Sequence, residues 1–501
     1  MNRDTSHRVT SEGDGNLLVQ GGSVLLPDGS LARANVLIRG GTIAEVGPHV
    51  TATVPILDAT GSIVVPGLVN AHVHSGENYN PGRFENLPLD LWFVHSHEVT
   101  RTEPRSSQQI YVRTLLGALL MLQSGTTCVA DFVYEAPELT VETLEPVIRA
   151  YRDAGLRATV VLGISDLPFL DSLPLEREER VGAPAEAAAP SRDRILEVAR
   201  EAIARWHDGR IKIGLGPSAP QRCTPELLEE SWALSADHGL VWHTHVLETK
   251  TQAYTAQHWH GRSFVELLSE RGYLDRRTSV VHAVWLRDRD VELLAEHGTT
   301  VIHCSLSNLR LGDGVAPLPA LQRAGVTVAL GTDGRGCDET LDMLELAKMT
   351  ALVHKARGLP YEEWPTAVEV LAMMIRGGGF ACGHEHRLGA IEPGAYGDLA
   401  LLDAEAPAFA PMIDPVRQLI YGAPSRHVTS VVVGGEVVLD HGHATRFDEA
   451  EILGRAREFG ADATAGAAVA DRELEAVVRK VYERAEEFDV GVNCYVGVAQ
   501  A

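Results

Sequence analysis

Short apolar runs and segments of helical length alternate through the middle of this chain. The runs are Ile63–Val69, Thr126–Asp131, Ala158–Ile164, Ile211–Leu215, Leu240–His245, Ser279–Ala283, Thr300–Cys304 and Val326–Leu330. Their length and β-branched content suit buried strands. Between most of them lie helix-length segments, among them Gln109–Gln123, Pro225–His238, Ser263–Arg271 and Asp288–His297. Gly239, Gly272, Gly298 and Gly325 stand where those helices should end, at the position a left-handed glycine commonly takes. Eight such units predict an α/β fold, a (β/α)8 TIM-like barrel over about 64–390, with its chemistry at the C-terminal strand ends. A doubly wound open sheet is the alternative that the pattern leaves open.

The two ends of the chain read differently. Leu17–Val19, Ser23–Leu26, Ala34–Ile38, Ile43–Val46 and Val54–Leu57 are short β-like runs punctuated by Gly, Pro and Asp, as hairpin turns require. Fifty such residues cannot close a core alone. Matching runs return at Asp398–Asp403, Val428–Val433 and Glu436–Leu439. The expectation is a small β-sandwich domain built from both chain ends, 1–63 and 391–446, around a barrel of 64–390. Residues 447–501 form a C-terminal extension, helical to about 488 and packed outside the barrel. Glu176–Arg194, charged and rich in Ala and Pro, reads as a mobile surface insertion.

Charge narrows the partners. Against 44 Lys and Arg stand 68 Asp and Glu, a formal net charge of −24. Such a surface repels phosphate backbones and anionic lipid, which argues against nucleic acid and membrane partners. Met1–Asn16 lacks the apolar core of a signal peptide, and no run of about 18 apolar residues could span a bilayer. The six cysteines are scattered without a Cys-x-x-Cys pair and read as reduced and mostly buried. A cytoplasmic protein is expected.

The chemistry starts at Pro66-Gly-Leu-Val-Asn-Ala-His-Val-His74. On an extended segment, residues i and i+2 share a face, so His72 and His74 can converge on one point. Imidazole is the commonest protein ligand for zinc and also suits iron, nickel and copper. Later strand ends bring further donors: His243 or His245 with Glu248 beyond them, then His282, then Asp333. Each alone has a structural explanation. Their joint placement at the C-terminal ends of one barrel points to a metal centre.

In these motifs the chain resembles the amidohydrolase superfamily, in the branch of cytosine, guanine and S-adenosylhomocysteine deaminases and triazine hydrolases. The resemblance spans about 17–445. It rests on the stretch ending at His74, His243-Thr-His-Val-Leu-Glu248, His282-Ala-Val-Trp-Leu286, His303-Cys-Ser-Leu-Ser-Asn308, Leu330-Gly-Thr-Asp-Gly334 and Leu388–Asp398. It implies that His72, His74, His245 and Asp333 bind one divalent metal, Zn2+ in the first place, with Fe2+ or Mn2+ as alternatives. His245 is preferred to His243 because Glu248 then falls at the family's His-x-x-Glu spacing. Glu248 would shuttle the proton, Asp333 would accept one from the metal-bound water, and His282 would face that water and the substrate. Two-metal relatives carry a bridging lysine at the fourth strand's end; here that end reads Gly214–Pro220, and Lys212 lies earlier, so one metal is expected.

The implied function is a metal-dependent aminohydrolase with a small-molecule substrate, releasing ammonia from a nitrogen heterocycle or cyclic amidine by attack of metal-bound hydroxide. The alternative expels chloride or an alkylamine from a triazine-like ring, or opens a cyclic amide. A catalytically inactive barrel is a third class, opposed by the intact donor set. Dimers are common in this branch, so a homodimer is expected by analogy. Purine-type deaminases of the branch often carry His in Gly-Pro-His-Ala-Pro where this chain has Ser218, and Arg335-Gly-Cys-Asp-Glu339 replaces an Asn-rich segment. Both departures argue against adenosine-like and guanine substrates. Glu77, Asn78 and Arg83, in the loop after the first strand, and Ser218 are expected substrate contacts. His303 suits a pocket role or a structural one. His95-Ser-His97, His258-Trp-His260, His384-Glu-His386, His441-Gly-His443 and the glycines Gly377–Gly379 are set aside as lacking the spacing or context of a site. The absence of Pro-Cys-x-x-Cys excludes the cysteine–zinc deaminase fold.

Overall fold

The computed structural model describes residues 14–96, 104–180, 183, 188–464 and 471–490. Residues 1–13, His97, Cys494, positions 181, 182 and 184–187 of the expected insertion, and 465–470 and 491–501 of the C-terminal extension lie outside the described residues.

The chain opens with strands β1 (Leu17–Leu25), β2 (Leu31–Arg39), β3 (Thr42–Gly47), β4 (Ile56–Asp58) and β5 (Ser62–Pro66). The runs expected at Leu17–Val19 and Ser23–Leu26 are one strand, because a register shift between Val19 and Gly22 carries its pairing with β2 across the glycines. Barrel strands follow: β6 (Leu68–Val73), β7 (Thr126–Val133), β8 (Arg157–Ile164), β9 (Ile211–Pro217), β10 (Trp242–Val246), β11 (Thr278–His282), β12 (Thr300–His303) and β13 (Val328–Leu330). The last strands are β14 (Leu399–Asp403), β15 (Val428–Val433), β16 (Glu436–Asp440) and β17 (His443–Ala444).

The strand expected over Ile63–Val69 is two strands in two sheets. β5 pairs with β1 and β14, whereas β6 pairs with β7. Pro66-Gly67 makes the break. Proline lacks the N–H a ladder needs, and a Cβ on Gly67 would fall 2.1 Å from Thr127 Oγ1.

Strands β6 to β13 form one eight-stranded sheet in chain order, each paired in parallel with the next. Side chains and backbone join its two edges. Asn70 Nδ2 donates to Thr332 Oγ1 at 2.7 Å, Thr332 N donates to Asn70 Oδ1 at 3.1 Å, and Asp333 N donates to His72 O at 2.9 Å. A Cβ on Gly331 would lie 2.7 Å from His72 Cβ, so the edges meet this closely only over a glycine. The set-aside glycines serve the same need: a Cβ on Gly377 would reach Val328 O at 2.0 Å, and one on Gly378 would reach Val69 at 2.6 Å.

Strands from both chain ends share one nine-stranded sheet, with β5 between β1 and β14. Val19, Val36, Val64, Leu399, Leu401 and Val432 are buried in one cluster, so neither end has a core without the other. At its junction with the barrel, the Arg157 guanidinium forms two hydrogen bonds with the Asp398 carboxylate, at 3.0 and 3.1 Å.

The helices at Pro225–His238 and Asp288–His297 have the expected limits and end on left-handed Gly239 and Gly298. The C-terminal extension contains helices Glu449–Thr464 and Asp471–Glu487. The second covers part of the barrel's mouth: Leu474, Val477, Val478 and Val481 pack on Leu91, Val94, Leu170 and Leu173. Cys128, Cys223, Cys304, Cys337 and Cys382 are free and buried. Among the described residues, no helix is long and apolar enough to cross a membrane.

Candidate active site

The C-terminal ends of β6, β10, β11 and the segment after β13 place six groups together: His72, His74, His245, Glu248, His282 and Asp333. His72 Nε2 lies 3.4 Å, and His74 Nε2 3.1 Å, from Asp333 Oδ1. Donor atoms of His72, His245 and His282 also lie within 4.8 Å of one another, as do those of Glu248, His282 and Asp333. His282 and Asp333 hold φ of 69°, a left-handed backbone rare for residues with a Cβ. Both sit where the chain turns sharply off a strand end, and the turn aims their side chains inward.

Each ring is oriented from behind. His72 Nδ1 lies 2.9 Å from His243 Nε2, His74 Nδ1 lies 2.9 Å from Phe132 O, and His245 Nδ1 lies 2.7 Å from Ser218 O. The carbonyls can only accept, so His74 and His245 each carry a proton on Nδ1, which leaves Nε2 facing inward as the atom that could bind a cation. His72 Nε2 is buried without a hydrogen-bond partner. An orphaned inward nitrogen beside a carboxylate is the arrangement expected of a donor set for a cation. The residues present therefore fit one metal ion.

Charge favours the same reading. Burial alone would raise the Asp333 pKa, but the His72 and His74 rings beside its carboxylate hold it well below the usual carboxylate range. Burial pushes His72 down to about 3 and His245 well below its ordinary value. Burial also opposes a charge on His74, yet Asp333 and Glu77 outweigh it and raise its pKa to about 9. A cation bound here would displace that proton.

Glu248 and His282 face this cluster. His282 Nε2 is 3.3 Å from Glu248 Oε1, and its Nδ1 is 2.8 Å from Asn308 Oδ1. Burial, reinforced by the Asp333 charge, raises the Glu248 pKa well above the usual carboxylate range. Glu248 N donates to Gln252 Oε1 at 2.8 Å, and Gln252 Nε2 donates to His245 O at 3.1 Å, fixing Glu248 relative to the strand end.

A cavity of about 310 Å3 opens over these groups, with His74, Glu77, Ser218, His245, Glu248, His282 and Asp333 in its lining. Glu77 reaches it with its carboxylate already engaged: Tyr134 Oη donates at 2.9 Å and Gly336 N at 3.3 Å. A Cβ on Gly334 would lie 2.0 Å from Glu77 Oε2, so that loop accepts Glu77 only as glycine. Ser218 contributes its carbonyl to His245, a role any residue can fill and no sequence signal marks.

Two of the expected substrate contacts, Asn78 and Arg83, and His303, for which a pocket or a structural role was open, stand away from the cavity wall. Asn78 turns beneath the helix Ser107–Gln123 and donates to Arg113 O at 3.0 Å. Arg83 donates to Asn80 Oδ1 at 3.0 Å and lies over Phe84. His303 is buried 5.5 Å from the His354 ring. The loop after β6 turns Asn78 beneath the neighbouring helix and folds Arg83 back onto the loop itself.

The histidines set aside lie elsewhere. His95 Nε2 pairs with Glu475 at 3.0 Å, His443 pairs with Glu449 at 3.1 Å, and His384 is buried against Tyr396. His258 and His260 end the helix Lys250–His260.

The family model described as Amidohydrolase family matches residues 63–438, which contain every group named in this centre. The chain belongs to the amidohydrolase family. Over 451 residues it is 32% identical to 5'-deoxyadenosine deaminase of Methanothermobacter thermautotrophicus, covering 88% of this chain and 98% of that one. An adenosine deaminase from Xanthomonas campestris with bound zinc superposes with a TM-score of 0.77 at 27% identity, over 89% of this chain and 98% of that one. A triazine hydrolase from Arthrobacter aurescens superposes with a TM-score of 0.81 at 26% identity, over 89% of this chain and 99% of that one. This amidohydrolase is an enzyme for C–N bonds other than peptide bonds, and its His/Asp cluster suits one metal ion.

Proposed function

We propose that this amidohydrolase releases ammonia from an amino-substituted nitrogen heterocycle, with His72, His74, His245 and Asp333 holding one divalent metal, zinc in the first place. The observation that carries the reading is the 3.3 Å approach of Glu248 Oε1 to His282 Nε2 directly beside that donor set. The ion, when bound, would supply the Lewis acidity that makes water a nucleophile near neutral pH.

The chain's own residues then divide the proton work. Ionised Asp333 is the group to accept a proton from the attacking water. His282, with Nδ1 donating to Asn308 Oδ1, presents Nε2 as an acceptor that orients that water. Glu248, kept protonated by burial, holds a proton at Oε1 for a ring nitrogen or the departing amine. The rings of Phe132 and Tyr134 line the cavity and help exclude bulk water from this exchange.

Both the deaminase relative and the zinc-containing structural neighbour support ammonia as the leaving group. The likeness to the triazine hydrolase supports a second reading, in which the same site expels chloride or an alkylamine. One assay separates them. The metal-loaded enzyme is given adenine nucleosides, pterins and chloro- and alkylamino-triazines, and ammonia, chloride and amine are measured. Ammonia from a purine or pterin supports the first reading; chloride or alkylamine alone would replace it with the second.

A further inference from the structure

One cation in the cavity wall makes no side-chain hydrogen bond or ion pair among the described residues. Arg222 ends the short turn Pro220–Arg222 after β9, four residues beyond Ser218, where the chain departs from the purine-deaminase pattern. Its guanidinium lies 3.8 Å from the Phe93 ring centroid and 5.3 Å from that of Phe169. Those two rings stack at 5.0 Å. Its backbone is held as well: Arg222 N donates to Ala219 O at 3.0 Å, and Ser165 Oγ donates to Arg222 O at 2.7 Å. The side chain is therefore fixed in place by stacking, which uses none of its five N–H donors.

Those donors have no acceptor among the described residues, and Arg222 is the only lysine or arginine there that lines the cavity. Neither Asp90 nor Glu248 is in ion-pair contact with it, and Asp90 Oδ2 accepts a hydrogen bond from Thr251 Oγ1 at 2.8 Å. Burial lowers the guanidinium pKa to about 10, which leaves it charged at neutral pH. The half-buried guanidinium has given up part of its hydration to the two rings without gaining a counter-ion, at a net cost. A ligand that supplies the counter-ion removes that cost.

We propose that Arg222 is an anion subsite of this active centre and that the substrate is an amino-substituted heterocycle bearing a carboxylate. The inference rests on the deaminase reading above. A carboxylate matches the planar fork of one guanidinium with two parallel hydrogen bonds. A phosphate dianion would meet a single cation while facing Asp90, so the monoanion fits better.

Two matched pairs test it on the metal-loaded full chain: 5'-deoxyadenosine with adenosine-5'-carboxylate, and pterin with pterin-6-carboxylate. The readout is kcat/KM for ammonia release by the parent, Arg222→Met and Arg222→Lys, with metal content and melting compared as a folding control. In at least one pair the parent should favour the carboxylated member by about 10- to 100-fold, the range of a charge-assisted hydrogen bond. Arg222→Met should abolish that preference and Arg222→Lys should retain part of it. No preference in the parent, or the same preference in Arg222→Met, would overturn the proposal. If none of the four releases ammonia, the deaminase reading fails for those rings, and calorimetric titration of the same pairs decides the subsite alone. Tighter binding of a carboxylated member that Arg222→Met loses would support the subsite, and equal binding of both members would overturn it. Tighter binding of adenosine 5'-monophosphate than of the 5'-carboxylate would overturn the carboxylate assignment. Should Arg222→Met fail the folding control, Arg222→Gln takes its place.

Discussion

His243 stands behind His72: the two rings stack 5.0 Å apart at 17°, with His72 Nδ1 2.9 Å from His243 Nε2. For His72 to offer Nε2 to a metal, its proton must sit on Nδ1, and His243 Nε2 is the acceptor that keeps it there. His243 is fully buried with Nδ1 unpartnered, so nothing else competes for this arrangement. His72→Ala and His245→Ala should purify without metal. His243→Ala should bind it about 10- to 100-fold more weakly, the usual effect of losing such a support. Metal retention against a chelator, measured by elemental analysis, checks this. Retention equal to the parent would remove the orienting role, and loss as complete as in His72→Ala would make His243 a ligand.

Proton delivery is separable from metal binding at Glu248. Glu248→Gln keeps the shape of the side chain and its place beside His282 but removes the transferable proton. General acid–base catalysis is worth about 10²- to 10⁴-fold, so kcat should fall by at least about 10²-fold. Metal content should match the parent. A variant that retains most of its activity would end the shuttle assignment, and one that loses its metal would make Glu248 a ligand.

The donors were legible in the sequence because the barrel's period places every strand end on one rim. His-x-His on β6, His245 with Glu248 three residues on, His282 and Asp333 each stand at such an end, and periodicity finds strand ends well. The wall of the cavity was not legible. Asn78 and Arg83 share a loop with Glu77, but their direction depends on the helix Ser107–Gln123 and on Asn80, which spacing along the chain does not encode. Ser218 serves through its carbonyl, which leaves no trace in residue type. Arg222 acquires its meaning from Phe93 and Phe169, which are remote in sequence. The break at Pro66-Gly67 was visible, but its consequence, a change of sheet, follows from the approach of Thr127.

One buried carboxylate outside the centre makes stability depend on pH. Asp290 accepts hydrogen bonds from Ser263 Oγ and, at 2.8 Å, from Arg287 N. Burial outweighs both and pushes its pKa up to about 6. An unfolded aspartate titrates near ~3.9, so the native state binds this proton more tightly. The resulting stability is fully present below about pH 3.9 and is lost as pH rises through about 6. Asp290→Asn cannot titrate. Its urea midpoint relative to the parent, at equal metal loading, should therefore rise between pH 4 and pH 6.5 and level off above. A constant difference across that range would show that Asp290 is not held protonated in the native state.

The helix Asp471–Glu487 lies beyond the residues matched by the family model, yet it packs on the elements that line the cavity. Val478 is 1% exposed against Leu91, Val94, Leu170 and Leu173, and Phe93 and Phe169 stand in the same two segments as those four. Polar contacts add to this seam: Arg484 Nη2 donates to Pro174 O at 2.7 Å, and Lys480 Nζ donates to Glu179 O at 3.1 Å. Val478→Asp would place a carboxylate among apolar side chains with no donor to meet it, a change costing on the order of several kcal/mol. The cluster is separate from the barrel's main core, so the expected result is release of the helix with the barrel intact. Metal content should stay at the parent value, because no donor lies in this seam. KM should rise by about tenfold, the effect of losing roughly 1.4 kcal/mol of substrate binding, with a smaller change in kcat. Limited proteolysis should cut the variant's C-terminal helix faster than the parent's. Faster cutting with unchanged KM would show that the helix plays no part in shaping the cavity, whereas loss of metal and of cooperative melting together would place it in the barrel's own folding unit.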